Sequence, residues 1–165
     1  MRSRASRKKI LYAEFALVGI LYLATDQILK YIARSSPEAS AYLWKPYIGW
    51  EYFENSGIAF SIPFPNNLLI LITPFVILGL SLIMTSYRCK QSLRACARQK
   101  LSPHFVFGLL LIIFGASSNL IDRILFDATI DYLRFGTAVV NVADIMIVAG
   151  VLLLLLLPGA KEKKA

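Results

Sequence analysis

Histidine is almost absent from this chain and cysteine is scarce: His104 stands alone, with Cys89 and Cys96. The spacing of the two cysteines fits no zinc pattern, and nothing else completes three protein ligands, so a zinc hydrolase is excluded. Two thiols are too few for a disulfide framework, and both lie in a basic stretch expected in the cytoplasm, where they stay reduced. Acidic residues are also in the minority, 10 against 18 basic ones, leaving a net charge of +8. That excess sits in blocks flanking apolar runs. It does not form a basic face interleaved with stacking aromatics, so nucleic acid is not an expected partner. Internal repeats and low-complexity linkers are absent.

What the chain has in quantity is apolar surface. Hydrophobic residues make up 57% of the 165 positions and the mean hydropathy is +0.61, whereas a soluble domain carries roughly 45–50% apolar residues. Four stretches approach the roughly 20 apolar residues that a spanning helix needs: Ile10 to Ile32, Leu68 to Tyr87, Phe105 to Phe126 and Val139 to Leu157. The first follows a basic opening, but its apolar core is too long for a signal peptide and no small-x-small cleavage site follows it. The expected fold is therefore an all-α membrane protein, a single membrane-embedded domain over residues 1–165 with four transmembrane helices. A small β-rich periplasmic segment is expected after the first helix, over about residues 33–67.

Charge gives the orientation. Arg2, Arg4, Arg7, Lys8 and Lys9 precede span one, and Arg88, Lys90, Arg94, Arg98 and Lys100 follow span two. With Lys161, Lys163 and Lys164 these make 13 of 18 basic residues on one side, which places both termini in the cytoplasm. The opposite loop holds Trp44, Tyr47, Trp50, Tyr52, Phe53, Phe60 and Phe64, as suits the headgroup region. Within it, Trp50 to Phe53 and Ile58 to Ile62 are β-prone.

Polar residues inside the spans are costly and mark function. Asp26 and Lys30, four apart, share a helix face and can pair, with Lys30 snorkelling outward. Glu14, nearer the basic N-terminus, suits a similar role. In span three, Gly115-Ala116-Ser117-Ser118 permits close packing and precedes Asn119, Asp122 and Arg123. A polar packing seam ending in an Asp122–Arg123 contribution would explain this cluster without catalysis. Asn141 can cap span four, but that leaves Asp144 as a buried charge without a partner. Asp131 lies just upstream in an apolar string.

Two carboxyls converging at the outer rim of such a bundle form a chemically sufficient pair. Close together in low dielectric they cannot both ionise, so they share a proton. One then deprotonates a water while the other protonates the amide carbonyl or leaving nitrogen, with no metal and no covalent nucleophile. A Ser/His/Asp site would need His104, at the cytoplasmic end of span three. A Ser–Lys dyad would need Lys30 beside Ser117 or Ser118, which stays open at this stage.

Five motifs in order carry a resemblance: Asp26-Gln27-x-x-Lys30, Asn55-Ser56-Gly57-x-Ala59-Phe60-Ser61, Gly115-Ala116-x-x-Asn119-Leu120-Ile121-Asp122-Arg123, Ile130-Asp131-Tyr132 and Asn141-Val142-Ala143-Asp144. Together they resemble the bacterial lipoprotein signal peptidase (signal peptidase II) family from Asp26 through the fourth helix. The resemblance implies an aspartyl endopeptidase of the bacterial cytoplasmic membrane with Asp131 and Asp144 as its catalytic pair. It implies that Asn55, Asn119, Arg123 and Asn141 line the substrate site, and that Asp26, Lys30, Gly57 and Asp122 support it. No metal or cofactor is implied. The implied substrate is a diacylglyceryl-modified prolipoprotein, cut on the amino side of the lipidated cysteine near the outer leaflet, with membrane lipid as the other partner. The outer segment matches the family's membrane-surface sheet, and the loop before span four matches its lid. Phe114 and Ser118 stand where the family usually has glycine, so helix approach there is expected to be less close; Ile145 replaces the usual Ser or Thr, and the stretch from Asp131 to Asn141 is short. Rival readings are a small proton-coupled transporter using Glu14 or Asp26, and an inactive assembly factor of the same fold. Transport by alternating access needs a site near the midplane, whereas these carboxyls are expected at one rim.

Overall fold

A computed structural model describes residues 4–58, 62–93 and 102–157. Its elements are α1 (Arg4–Ser35), β1 (Ala41–Trp44), β2 (Ile48–Asn55), α2 (Asn66–Leu93), α3 (Pro103–Phe126), β3 (Thr129–Phe135), β4 (Ala138–Val140) and α4 (Val142–Leu156). Cys96, Arg94, Arg98, Lys100, Arg2, the three C-terminal lysines and the middle of the expected strand Ile58 to Ile62 lie outside the described residues.

Three helical segments are long and apolar enough to cross a membrane: Ile10–Ser35, Asn66–Ser86 and Pro103–Phe126. α4 is apolar but has 15 residues, about 22 Å at 1.5 Å per residue, against a hydrocarbon core of about 30 Å. The expected span began at Val139, yet Val139 and Val140 pair with β3 and Asn141 is the N-cap. Apolar β-branched residues read alike in a strand end and a helix start, which is why the boundary moved.

The all-α expectation, with strands confined to the segment after the first helix, also needs correction. The protein is mostly helical, but its sheet has four antiparallel strands in the order β1-β2-β3-β4, and half of them come from the α3–α4 connection. What the sequence offers as a lid loop is a hairpin, with Phe135 opposite Ala138. Its two-residue turn begins at Gly136, whose φ of 63° suits the first position of such a turn. That tight turn accounts for the short stretch between Asp131 and Asn141. Ile130, Tyr132 and Ala33 form the buried core beneath the sheet, with Trp50 stacked 5.0 Å from Tyr132.

α3 is the central helix, packed against α1, α2 and α4. It starts on Ser102, whose hydroxyl caps Phe105 N–H, with Pro103 in the first turn. Small residues let α4 approach closely. A Cβ on Gly115 would lie 2.6 Å from Ala143 O, and one on Gly150 would lie 2.6 Å from Gly108 O. On the other side, Phe114 does not hold the helices apart, because α1 offers Gly19 beneath its ring. A Cβ there would come within 2.2 Å of the ring. The C-terminal ends of α1 and α3 and the N-terminal end of α4 thus meet under the sheet.

Candidate active site

The sheet and α4 bring Asp131 and Asp144 to one place. Asn55 pairs with Thr129 and Phe53 with Asp131 across β2 and β3, so Asn55 reaches Asp131 on the diagonal. Its Nδ2 donates to Asp131 Oδ2 at 3.1 Å, while its Oδ1 accepts from Gly57 N at 3.0 Å. Gly57 thus fixes which end of the amide faces the carboxyl. Asn141 touches both aspartates: its Nδ2 donates to Asp131 Oδ1 at 2.6 Å and its Oδ1 accepts from Asp144 N at 2.8 Å. Asn119 donates from Nδ2 to Asp144 Oδ1 at 2.8 Å. Asp144 is therefore not the partnerless charge that the sequence suggests. It also accepts a long bond, 3.5 Å, from Asn141 N, closing a capping box at the start of α4.

Behind this pair lies a second cluster. Lys30 Nζ sits 2.9 Å from Asp26 Oδ2, 2.8 Å from Asp122 Oδ2 and 2.9 Å from Asn119 Oδ1. Asp26 and Asp122 are fully buried and Lys30 is 3% exposed, so Lys30 does not snorkel outward. Nor does Asp122 pair with its neighbour Arg123: consecutive helical residues point about 100° apart, and Asp122 turns to α1. Asp122 also accepts from Ile130 N at 3.1 Å and from Gln27 Nε2 at 3.1 Å. Asp26 accepts from Ser118 Oγ, Tyr132 OH and Ala143 N at 2.6, 2.8 and 3.2 Å. Tyr132 OH accepts in turn from Val142 N at 3.2 Å. The first N–H groups of α4, which have no helical partner, are met by Tyr132, Asp26 and Asn141.

The electrostatics of the two clusters differ. Among the described residues no ion pair reaches Asp131 or Asp144. Asp131, in β3 outside the helices, is pushed up from 3.8 to about 7 by burial and then by the negative charge of Asp144. The nearest sequence cation, Arg134, is taken by Glu51, which it binds through two guanidinium nitrogens. Arg123 donates from Nη2 to Gly57 O at 3.2 Å, while its buried Nε has no partner among the described residues.

All ten candidate residues are placed at one end of the bundle. Asp131, Asp144, Asn55, Asn119 and Asn141 share direct bonds; Arg123 joins through Gly57; Asp26, Lys30 and Asp122 stand behind. The sequence reading gave no site role to Gln27 or Tyr132, and it raised Ser118 only as a possible partner of Lys30 in a Ser–Lys dyad and as a departure from glycine. Ser118 sits 3.4 Å from Lys30, as a Ser–Lys dyad would require. However, it is fully buried and donates to Asp26, and Lys30 is held by two carboxylates. Neither can serve as nucleophile or base. Gln27 was legible as the neighbour of Asp26 within one motif; Tyr132 gave no signal beyond its place after Asp131. Ile145 is 48% exposed and points away from the site. Glu14 lies on an exposed face of α1, and Asp26 is locked in its ion pair, so neither has the setting of a proton carrier. No group of three or more His, Cys, Asp or Glu suited to a metal occurs among the described residues.

Comparison with known proteins points the same way. A family profile described as "Signal peptidase (SPase) II" matches residues 18–158. Proteins named lipoprotein signal peptidase are similar along most of their length. One from Moorella thermoacetica is 32% identical, covering 90% of this chain and 96% of its own. One from Bartonella henselae is 34% identical over 86% of both chains. One from Streptococcus pneumoniae is 32% identical over 86% and 89%. A solved structure described as a bacterial membrane enzyme superposes with a TM-score of 0.72 at 20% identity, covering 93% of this chain and 94% of its own.

Proposed function

Since the chain belongs to the signal peptidase II family and is a multi-pass membrane aspartic peptidase of the lipoprotein signal peptidase type, we propose that Asp131 and Asp144 are its catalytic pair. The observation that carries this is Asn141, whose side chain bonds Asp131 and the Asp144 backbone together. Two carboxyls held in one buried site without a cation between them share one proton.

The ionised member takes a proton from a water, whose oxygen attacks the scissile carbonyl carbon. The protonated member gives its proton to the carbonyl oxygen, forming a neutral diol. Collapse of the diol breaks the C–N bond, and a proton passes to the leaving nitrogen. The asparagine amides orient the carboxyls and place donors around the developing charge. The unpartnered Nε of Arg123 supports a role in receiving a peptide carbonyl.

The substrate on this reading is a prolipoprotein carrying a diacylglyceryl cysteine, cleaved on the amino side of that cysteine. On this reading α4, short as it is, makes the fourth crossing, and the basic blocks of the sequence then assign both termini to the cytoplasmic side and the site to the outer leaflet, in one membrane-embedded domain. An impermeant thiol reagent added to intact cells should then leave Cys89 and Cys96 unlabelled. Cleavage of a diacylated lipobox peptide by purified protein tests the chemistry. The parent should cut it, in the presence of a strong chelator as well, and folded Asp131→Asn and Asp144→Asn proteins should bind it without turnover. Near-parent turnover by either variant would remove the dyad.

A further inference from the structure

Each of the three amides around the dyad has a direction, and two are set within the site itself: Gly57 N fixes Asn55, and Asp144 N fixes Asn141. Asn119 is different. Its orientation is set from behind, by the ion-paired cluster. Resting on the dyad reading above, we propose that Lys30 is a positioning residue for catalysis: its ammonium fixes the Asn119 amide so that an N–H, and never a carbonyl oxygen, faces Asp144.

An ammonium carries three donors and no acceptor. Lys30 places them 2.9 Å from Asp26 Oδ2, 2.8 Å from Asp122 Oδ2 and 2.9 Å from Asn119 Oδ1. Ser118 Oγ is farther, at 3.4 Å, and is already committed to Asp26. With all three donors used, Asn119 must present its oxygen to Lys30. Its Nδ2 then points to Asp144 Oδ1, 2.8 Å away. Turning the amide over would set N–H against ammonium on one side and a carbonyl oxygen against a carboxylate on the other. Asn141 Nδ2, 3.2 Å from the same Asn119 oxygen, favours the same direction but is shared with Asp131 at 2.6 Å and Ile130 O at 3.3 Å. Lys30 is the undivided determinant.

The acids behind Lys30 thereby gain a purpose beyond neutralising it. Asp26 on α1 and Asp122 on α3 hold the ammonium in place, and Asn119 passes its polarity to α4. Positioned acid–base groups contribute roughly 100-fold or more in kcat, so an amide that turns its carbonyl oxygen on the Asp144 carboxyl and disturbs its placement is a large loss.

Removing Lys30 alone leaves two buried acids without a cation, so the test keeps the charge constant. Lys30→Met combined with Asp122→Asn converts two carboxylates and one ammonium into one carboxylate, with net charge −1 before and after. Asp122→Asn alone keeps the Lys30–Asn119 bond. On a diacylated lipobox peptide, Asp122→Asn serves as the reference with whatever loss a looser ammonium brings, and the folded double variant should lose roughly a further 100-fold in kcat with KM little changed. Asn119→Asp is the second arm: it still accepts from Lys30 but turns an oxygen toward Asp144. The folded variant should show a kcat loss of the same order. The proposal is overturned if the folded double variant matches Asp122→Asn in kcat, or if Asn119→Asp turns over like the parent. Should the double variant not fold, Asn119→Asp decides. Asp131→Asn, measured alongside, separates the two claims. If it is dead while the double variant is active, the polarity inference fails and the dyad stands; if it is active, the dyad itself has failed.

Discussion

Two pairs of aspartates lie within one end of this bundle, and the fold treats them in opposite ways. Asp26 and Asp122 flank a lysine at hydrogen-bonding distance. Asp131 and Asp144 are surrounded by the amides of Asn55, Asn119 and Asn141, with no ion pair among the described residues. Asp26 and Asp122 are engaged by that ammonium and by the fixed donors around it. A carboxyl facing neutral donors can be charged or protonated, and the choice is settled by its partner across the site. Burial does not divide them, since Asp131 is as buried as Asp26 and Asp122 while its partner Asp144 is half-buried. What separates structure from chemistry is therefore the kind of neighbour each acid is given.

Neutralising one acid at a time sharpens the contrast. The largest effect is expected at the amide-lined pair: Asp131→Asn or Asp144→Asn should lower turnover by roughly 10⁴-fold or more while folded protein is retained, because the proton exchange itself is removed. Next comes the cation. Lys30→Met leaves Asp26 and Asp122 buried without compensation and should cost about 3–5 kcal/mol, read as a lowered unfolding midpoint in detergent. Asp122→Asn is milder. Lys30 keeps Asp26, and the asparagine oxygen still accepts from Ile130 N, so about 1–3 kcal/mol of stability should go while activity remains. A stable Asp122→Asn protein without activity, beside an active Asp131→Asn one, would invert the comparison.

The smallest effect is a matter of pH. Asp131 moves from 3.8 to about 7 on folding, so it is the protonated form that the fold favours. The stability gained from that shift is complete below 3.8 and is lost as pH rises through about 7. Activity needs one proton on the pair, so kcat should fall on the alkaline side of about 7, as an apparent value belonging to both carboxyls. A kcat that stays level well above that pH would contradict the proton-sharing pair.

Much of this was legible in the sequence because membranes make polar residues conspicuous. Asp26, Lys30, Asn119, Asp122 and Asp144 stood out as exceptions within apolar helices, and the helical period put Asp26 and Lys30 on one face. The partner of Asp122 was not legible. Sequence adjacency suggested Arg123, but the direction of a side chain around a helix is set by packing, and close approach of α1 handed Asp122 to Lys30. The second half of the sheet was hidden for a similar reason. Thr129 to Phe135 and Ala138 to Val140 are short, largely apolar stretches beside an apolar helix, and only the pairing of β3 with β2 and of β4 with β3 distinguishes them as strands. Phe114 looked like an obstacle because its complement, Gly19, lies on another helix.

Infrared difference spectroscopy can count the protonated carboxyls directly. On the acid side of about 7, where the pair holds its shared proton, the parent protein should show the C=O stretch of a protonated carboxyl in the site. That band should disappear in Asp131→Asn and persist in Asp122→Asn, since Asp122 is ion-paired with Lys30 and stands outside the pair. A band that survives Asp131→Asn and vanishes in Asp122→Asn would contradict the division between the two pairs.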